Sequence, residues 1–194
     1  MNNTVTSRSL ITLAALLPSL AMAHPDYEHS SHAFMSGLLH PIGGLDHLLA
    51  MVAVGLWAAL LARQFKTAVW AVPTSFVALV IIGFFFGMQS GVIAMTEQAI
   101  AASVLIIGLA AAWMNRMPVI LASVVVATFA FFHGIAHGAE MHGEAALFAT
   151  GFIISTIALH LLGIGLGMAI SKSPALVRTV GTVIGLAGLS FFFV

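Results

Sequence analysis

The sequence has 194 residues, of which 61% are hydrophobic and 6% are charged, and its formal net charge at pH 7 is zero. Soluble domains carry roughly 25% charged residues, so six basic and six acidic side chains cannot cover a water-soluble surface. The balanced charge leaves no basic patch for nucleic acid, and the length suits a single domain. We therefore predict an all-α membrane protein whose main partner is the lipid bilayer.

The first 23 residues have the pattern of a cleaved secretory signal peptide. Arg8 precedes an apolar stretch over residues 10–20, and Ala21-Met22-Ala23 follows as a small-x-small cleavage pattern. An uncleaved first anchor is the alternative. Cleavage would make His24 the first residue of the mature chain. We expect residues 24–38 to form a periplasmic, histidine-containing lead, flexible at its start because residues 24–32 lack apolar periodicity.

Residues 39–194 are predicted to form a compact bundle of six transmembrane helices. A helix needs about 20 apolar residues to cross the hydrocarbon core of a bilayer. Six runs approach or exceed that length, near residues 39–61, 67–88, 97–114, 119–139, 146–170 and 177–194.

The basic residues predict the orientation of this bundle. Every basic residue of the mature chain follows the first, third or fifth predicted span; these residues are Arg63, Lys66, Arg116, Lys172 and Arg178. Lys and Arg are enriched in cytoplasmic loops, and a chain delivered by a signal peptide starts outside. We therefore predict a multi-pass protein of the bacterial inner membrane, with both ends of the mature chain in the periplasm.

The chain contains no cysteine but nine histidines. Disulfides and thiolate sites are thereby excluded, so any metal must be held by imidazole, carboxylate, backbone or water. An ionisable residue at the centre of a membrane helix costs about 2.5–3.5 kcal/mol on insertion scales. Such residues are therefore candidates for function.

The first cluster of such residues lies at the outer end of the first span. His40 and His47 are seven residues apart, nearly two helical turns, and would share one helix face. Asp46 could be a metal ligand, or an acceptor that fixes an imidazole tautomer. Gly43 and Gly44 would permit a close neighbouring helix or an unwound turn.

The second cluster lies at the outer end of the fourth span. His133 and His137 have the i, i+4 spacing that presents two imidazoles to one metal, and Glu140 continues the same stripe. Both clusters fall at a similar depth below the outer surface. We therefore predict one metal site with up to six ligands, namely His40, Asp46, His47, His133, His137 and Glu140.

Two further histidines are weaker candidates. His160 lies near the middle of the fifth span, where a histidine bonded across helices is as consistent with the sequence as one on a conduction path. His24 would capture metal weakly at the mature N-terminus, or belong to a solvated lead.

The two clusters resemble the signatures of the HupE/UreJ family of nickel permeases. The first family motif is matched by His40, Pro41, Gly44, Asp46 and His47, and the second by Phe132, His133, Gly134, Ala136, His137, Gly138 and Glu140. The resemblance covers the whole chain. It implies uptake of Ni²⁺ or Co²⁺ that serves hydrogenase or urease maturation.

These features predict a secondary permease that is not an enzyme and that needs no cofactor beyond the transported ion. The sequence has no phosphate-binding loop, so no nucleotide partner is expected. Imidazole and carboxylate suit Ni²⁺, Co²⁺ and Zn²⁺. The alternative is an intramembrane metal-dependent hydrolase that uses the same His, Asp and Glu residues. The oligomeric state stays open.

A final hypothesis concerns symmetry. Spans one and four each open a set of three helices and each carry a histidine cluster, which is the pattern of an inverted-topology repeat over residues 39–114 and 119–194. Two unrelated helices that converge on a metal are the alternative.

Overall fold

A computed structural model of the chain describes residues 29–113, 116–141 and 143–193. The predicted signal peptide and His24 lie outside these residues. The helices are α1 (His29–Gly43), α2 (Leu45–Ala62), α3 (Ala68–Ser90), α4 (Thr96–Trp113), α5 (Val119–Glu140), α6 (Ala145–Ile170) and α7 (Pro174–Ser190), which a 3-10 turn extends over Phe191–Phe193.

Within the described residues, six segments are long and apolar enough to cross a membrane. They are α2 to α6 and the segment Pro174–Phe193, and their lengths run from 18 to 26 residues. The prediction of an all-α bundle with six membrane-spanning helices is thereby confirmed.

The first span departs from its predicted bounds. It begins at Leu45 rather than near residue 39, because Gly44 adopts an extended conformation (φ −102°, ψ 121°) that ends α1 and starts α2. Pro41 in the last turn of α1 has no N–H for the helix ladder, which weakens the helix just before this break. His40 and His47 therefore lie on two helices and not on one continuous face.

Helix α1 packs along α6, and this contact explains why residues expected in a flexible lead are helical. Ala33 is buried on the α1 face that meets α6. A Cβ atom added at Gly37 would overlap the Phe148 carbonyl oxygen, and one added at Gly151 would overlap the Phe34 carbonyl oxygen. The two backbones are therefore in direct contact, an interaction that the sequence of α1 alone does not reveal.

Glycines bring three pairs of spans into similarly close contact. At each crossing, a Cβ atom added to a glycine would come too close to backbone atoms of the facing helix. Small residues at such positions allow membrane helices to pack closely. The crossings are α2 with α6 at Gly55 and Gly163, α3 with α5 at Gly83, Gly87, Gly134 and Gly138, and α4 with α7 at Gly108 and Gly181.

Helix α2 lies at the centre of the bundle. Every residue from Ala50 to Leu61 is buried, whereas the other spans expose large apolar side chains such as Phe85 on α3 and Ile120 on α5. A helix that is apolar and buried all round belongs to the core. This enclosed helix carries His47 in its first turn, so one member of the predicted site is fixed to the most buried element.

The segments that carry basic residues meet at one end of the bundle. The Arg63 guanidinium donates a hydrogen bond to the Ser171 carbonyl, and the Arg178 guanidinium carbon lies 4.8 Å from the centre of the Trp113 ring. We call this end the basic face. The opposite end, where Glu97, Glu140 and Glu144 begin or end helices, is called the acidic face.

Candidate metal site

Three histidines from two spans converge near the acidic face. His47 comes from the first turn of α2, and His133 and His137 come from one face of α5. Their potential ligand atoms all lie within 4.8 Å of one another. Metal–nitrogen bonds of about 2.1 Å place two opposed nitrogens about 4.2 Å apart, so small side-chain shifts would let all three bind one ion. We call these residues the histidine cluster.

Burial distinguishes the histidine cluster from ordinary surface histidines. His133 and His137 are 0% exposed. His47 Nε2, His133 Nδ1 and both ring nitrogens of His137 have no hydrogen-bond partner among the described residues. Buried polar atoms are nearly always hydrogen-bonded, and leaving one unpaired costs about 1–3 kcal/mol. A bound cation would satisfy these lone pairs together.

Asp46 orients His47. Its Oδ1 atom accepts a 2.7 Å hydrogen bond from His47 Nδ1 and a 2.8 Å bond from the His47 backbone N–H. An ionised carboxylate only accepts, so His47 carries its proton on Nδ1 and keeps Nε2 as the basic nitrogen. Of the two roles left open by the sequence, the geometry favours the acceptor that fixes the tautomer.

Ser103 orients His133 through a hydrogen bond, as Asp46 orients His47. Ser103 was not predicted from the sequence. The Ser103 hydroxyl donates to the Ile100 carbonyl at 2.6 Å, so it accepts the 2.9 Å hydrogen bond from His133 Nε2. His133 is thereby left with Nδ1 as its basic nitrogen. A lone serine in the apolar helix α4 has no motif that links it to α5, so no pattern within the sequence could have identified it.

His40 and Glu140 adjoin the cluster on its outer side. The His40 ring centre lies 4.7 Å from that of His137, and His40 Nε2 lies 3.4 Å from a Glu140 carboxylate oxygen. Burial, and then the nearby His47, lower the pKa of the His40 imidazole, while Glu140 acts in the opposite direction. His40 is therefore a neutral imidazole at pH 7, the form that binds metal.

A cavity of about 490 Å³ lies beside Asp46 at the acidic face. It places Glu97 of α4 near the site, a residue that was not among the ligands predicted from the sequence. Its position as the sole acidic residue of the third span was the available signal. The lining residues are Asp46, Glu97, Gln98, Ala101, Phe191 and Phe192.

His160 does not join the cluster. The Phe76 ring packs against both His133 and His160, with ring centres 5.7 Å and 5.0 Å away respectively. The structure thus brings all six main candidates together: Asp46 bonds to His47 of the histidine cluster, and His40 and Glu140 lie beside the cluster. Of the two weaker candidates, His160 lies apart from the cluster, and His24 lies outside the described residues.

A sequence model of the family described as HupE / UreJ protein matches residues 12–191. The chain belongs to the HupE/UreJ family. The relative "Protein HupE" of Rhizobium leguminosarum bv. viciae is 41% identical over 187 residues, which cover 94% of this chain and 95% of the relative. No solved structure matches the chain. The family expected from the two histidine motifs is therefore confirmed.

Proposed function

We propose that this HupE/UreJ protein is a secondary permease that imports Ni²⁺ or Co²⁺ from the periplasm to the cytoplasm for hydrogenase or urease maturation. The observation that carries the proposal is the histidine cluster, in which unpaired ring nitrogens of three histidines face one another inside a membrane bundle. Membership of the family supports metal transport in place of catalysis.

The ligand set suits a borderline divalent cation. Neutral imidazoles bind Ni²⁺, Co²⁺ and Zn²⁺, and the cysteine-free chain offers no thiolate for Cu(I). Additional oxygen donors lie close by, because Glu140 contacts His40 and Asp46 contacts His47. Nitrogen and oxygen donors together can complete the six-coordinate shell of Ni²⁺ or Co²⁺, whereas tetrahedral Zn²⁺ needs four ligands.

The charge distribution supports import. Glu97 and Asp46 line the cavity at the acidic face, where a cation is attracted before it meets the histidines. Arg63 and Arg178 lie at the opposite end, and basic residues are retained on the cytoplasmic side of membranes. In this orientation the ion enters through the acidic face from the periplasm.

The alternative, a metal-dependent hydrolase, retains one supporting observation. Three histidines with a free fourth position are also a ligand set of catalytic zinc. The two functions differ in outcome, because a hydrolase would cleave a lipid or peptide without accumulating metal inside vesicles.

Radioactive Ni²⁺ uptake into proteoliposomes tests the proposal. We expect saturable uptake by the wild-type chain, competition by Co²⁺, and loss of uptake in a His133→Ala, His137→Ala double variant. Protein-free liposomes and a Glu144→Gln variant serve as controls, since Glu144 is an exposed carboxylate outside the site. Wild-type vesicles that take up no more Ni²⁺ than protein-free liposomes would contradict the permease.

A further inference from the structure

A pocket at the basic face is lined by two arginines from different helices. It has a volume of about 150 Å³ and lies between the ends of α2 and α4 and the turn that joins α6 to α7. Arg63 directly follows α2, and Arg178 lies in the second turn of α7. The lining residues are Leu60, Arg63, Ala112, Trp113, Ser171, Pro174, Val177 and Arg178.

Each of these guanidinium groups is held in place by a contact with the protein. The Arg63 group donates to the Ser171 carbonyl, which links the end of α2 to the end of α6, and the Arg178 group lies over the Trp113 ring. A guanidinium has five N–H donors, and these contacts leave most of them free. Arginine binds phosphate through two parallel hydrogen bonds, so two positioned guanidinium groups at one pocket suit a phosphate anion.

Within the described residues, no carboxylate balances the charge of these arginines. The ion pairs of that part of the chain involve histidine and not arginine or lysine. Enrichment of basic residues in cytoplasmic loops explains why they lie at this end, but it does not explain why two of them line one pocket. We therefore expect their counter-anion to come from outside the chain. The carboxylates of the described residues all lie toward the acidic face; they belong to Asp46, Glu97, Glu140 and Glu144.

The surroundings of the pocket indicate the source of that anion. Trp113 is 62% exposed and Leu176, in the first turn of α7, is 52% exposed, so large apolar side chains beside the pocket face the bilayer. A tryptophan at the end of a span is typical of the headgroup level of a membrane. Basic pockets between membrane helices on the cytoplasmic side bind the headgroups of anionic lipids.

We propose that Arg63 and Arg178 bind the phosphate of an anionic phospholipid whose acyl chains lie along the exposed apolar side chains of α4 and α7. The bound lipid joins the ends of α2, α4 and α6 to the start of α7, and it therefore stabilises the folded bundle. A zwitterionic lipid binds less well, because the arginines repel its cationic headgroup. The inference does not depend on the proposed metal transport.

Lipid binding to the purified full-length chain in neutral detergent tests this site. Phosphatidylglycerol is titrated against phosphatidylcholine, with bound lipid measured by native mass spectrometry and stability by the melting temperature. We expect the wild type to prefer phosphatidylglycerol and to melt at a higher temperature with it. Arg178→Gln should weaken phosphatidylglycerol binding about tenfold, as for loss of a hydrogen bond to a charged group, and should reduce the thermal shift. The Arg63–Ser171 link stays intact in this variant.

The matched control is Arg116→Gln, which removes an exposed basic residue that does not line the pocket. This variant should bind phosphatidylglycerol like the wild type. Inorganic phosphate distinguishes a free anion from a lipid, since it has no acyl chains and should not displace phosphatidylglycerol at equal concentration. The site is overturned if the wild type binds the two lipids equally, if Arg116→Gln weakens binding as much as Arg178→Gln, or if inorganic phosphate displaces the lipid.

Discussion

Asp46 and Ser103 each determine which ring nitrogen of one histidine in the cluster carries the proton. Asp46 leaves His47 Nε2 free, and Ser103 leaves His133 Nδ1 free. Partners that orient metal-binding histidines are worth about 10–100-fold in metal affinity. Their removal should weaken binding without removing a ligand.

Asp46→Asn tests the charge on the first partner. The amide oxygen can still accept from His47 Nδ1, but the negative charge that stabilises the bound cation is gone. We expect Ni²⁺ affinity, measured by equilibrium dialysis, to fall about tenfold, with Glu144→Gln unchanged as the matched carboxylate control. Equal affinity in Asp46→Asn and the wild type would mean that the Asp46 charge does not act on the site.

Ser103→Ala tests the second partner. Without the hydroxyl, His133 Nε2 loses its acceptor, and the imidazole is free to carry its proton on Nδ1. Ni²⁺ affinity should fall about tenfold, whereas Ser90→Ala, which removes an exposed hydroxyl bonded within its own helix, should leave it unchanged. An unaltered affinity in Ser103→Ala would show that His133 keeps its tautomer without this bond.

The pH dependence of binding follows from the histidines. Protonated imidazole cannot bind metal, and its ordinary pKa is about 6.5. The pKa of His40 is lowered, so this imidazole becomes protonated, and stops binding metal, only at a pH below the ordinary histidine pKa. Ni²⁺ affinity should therefore fall from pH 7 to pH 5, and more steeply in the wild type than in His40→Ala. Equal affinities at the two pH values would exclude the histidines as principal ligands.

The break between α1 and α2 places the two histidines of the first motif, His40 and His47, on different helices. The motif itself, the i, i+4 pair on α5 and the approximate spans were predictable, because hydropathy and helical spacing are local properties. The break was not, since α1 is held by backbone contact with α6 at Gly37 and Gly151. The bond between Ser103 and His133 was hidden for the same reason, as it joins two helices by tertiary packing alone.

Gly44→Ala tests the break. The extended backbone at Gly44 would accept alanine without strain, but the new Cβ would lie 2.8 Å from Asp46 Oδ1 and 3.0 Å from His47 Nδ1. The carboxylate and imidazole would have to move apart, so Ni²⁺ affinity should fall about tenfold. Gly43→Ala is the matched control, because a Cβ there meets nothing within 4 Å. Equal affinities in the two variants would refute this close contact.

The three glycine crossings organise the molecule as a whole, and their pattern bears on the hypothesis of an inverted repeat. In such a repeat α2 would correspond to α5, α3 to α6 and α4 to α7. The α2–α6 crossing would then correspond to the α5–α3 crossing, and the α4–α7 crossing would correspond to itself. The repeat stays a prediction, to be tested by superposing the two halves of an experimental structure. Helix α1 and the central position of α2 have no counterpart in the second half, so any symmetry is incomplete.

The crossings should also dominate stability. A Cβ atom at Gly55 would overlap the His160 carbonyl oxygen, and overpacking of this kind costs about 1–3 kcal/mol. Gly55→Ala should therefore lower the melting temperature in detergent. Gly165→Ala, on α6 where a Cβ meets nothing within 4 Å, should not. Comparable melting temperatures for the two variants would indicate that α2 and α6 can move apart at Gly55 without loss of stability.

The enclosure of α2 has a consequence for the order in which the protein is assembled during synthesis. The ribosome makes α2 first among the spans, yet α6, which covers Gly55, begins only at Ala145. Until then α2 must reside in lipid or against the insertion machinery, which its apolar sequence permits. A nascent chain that ends at Met141 already contains His47, His133 and His137, but their central helix still lacks its closest neighbour. The metal site is therefore synthesised before the packing that holds it in place.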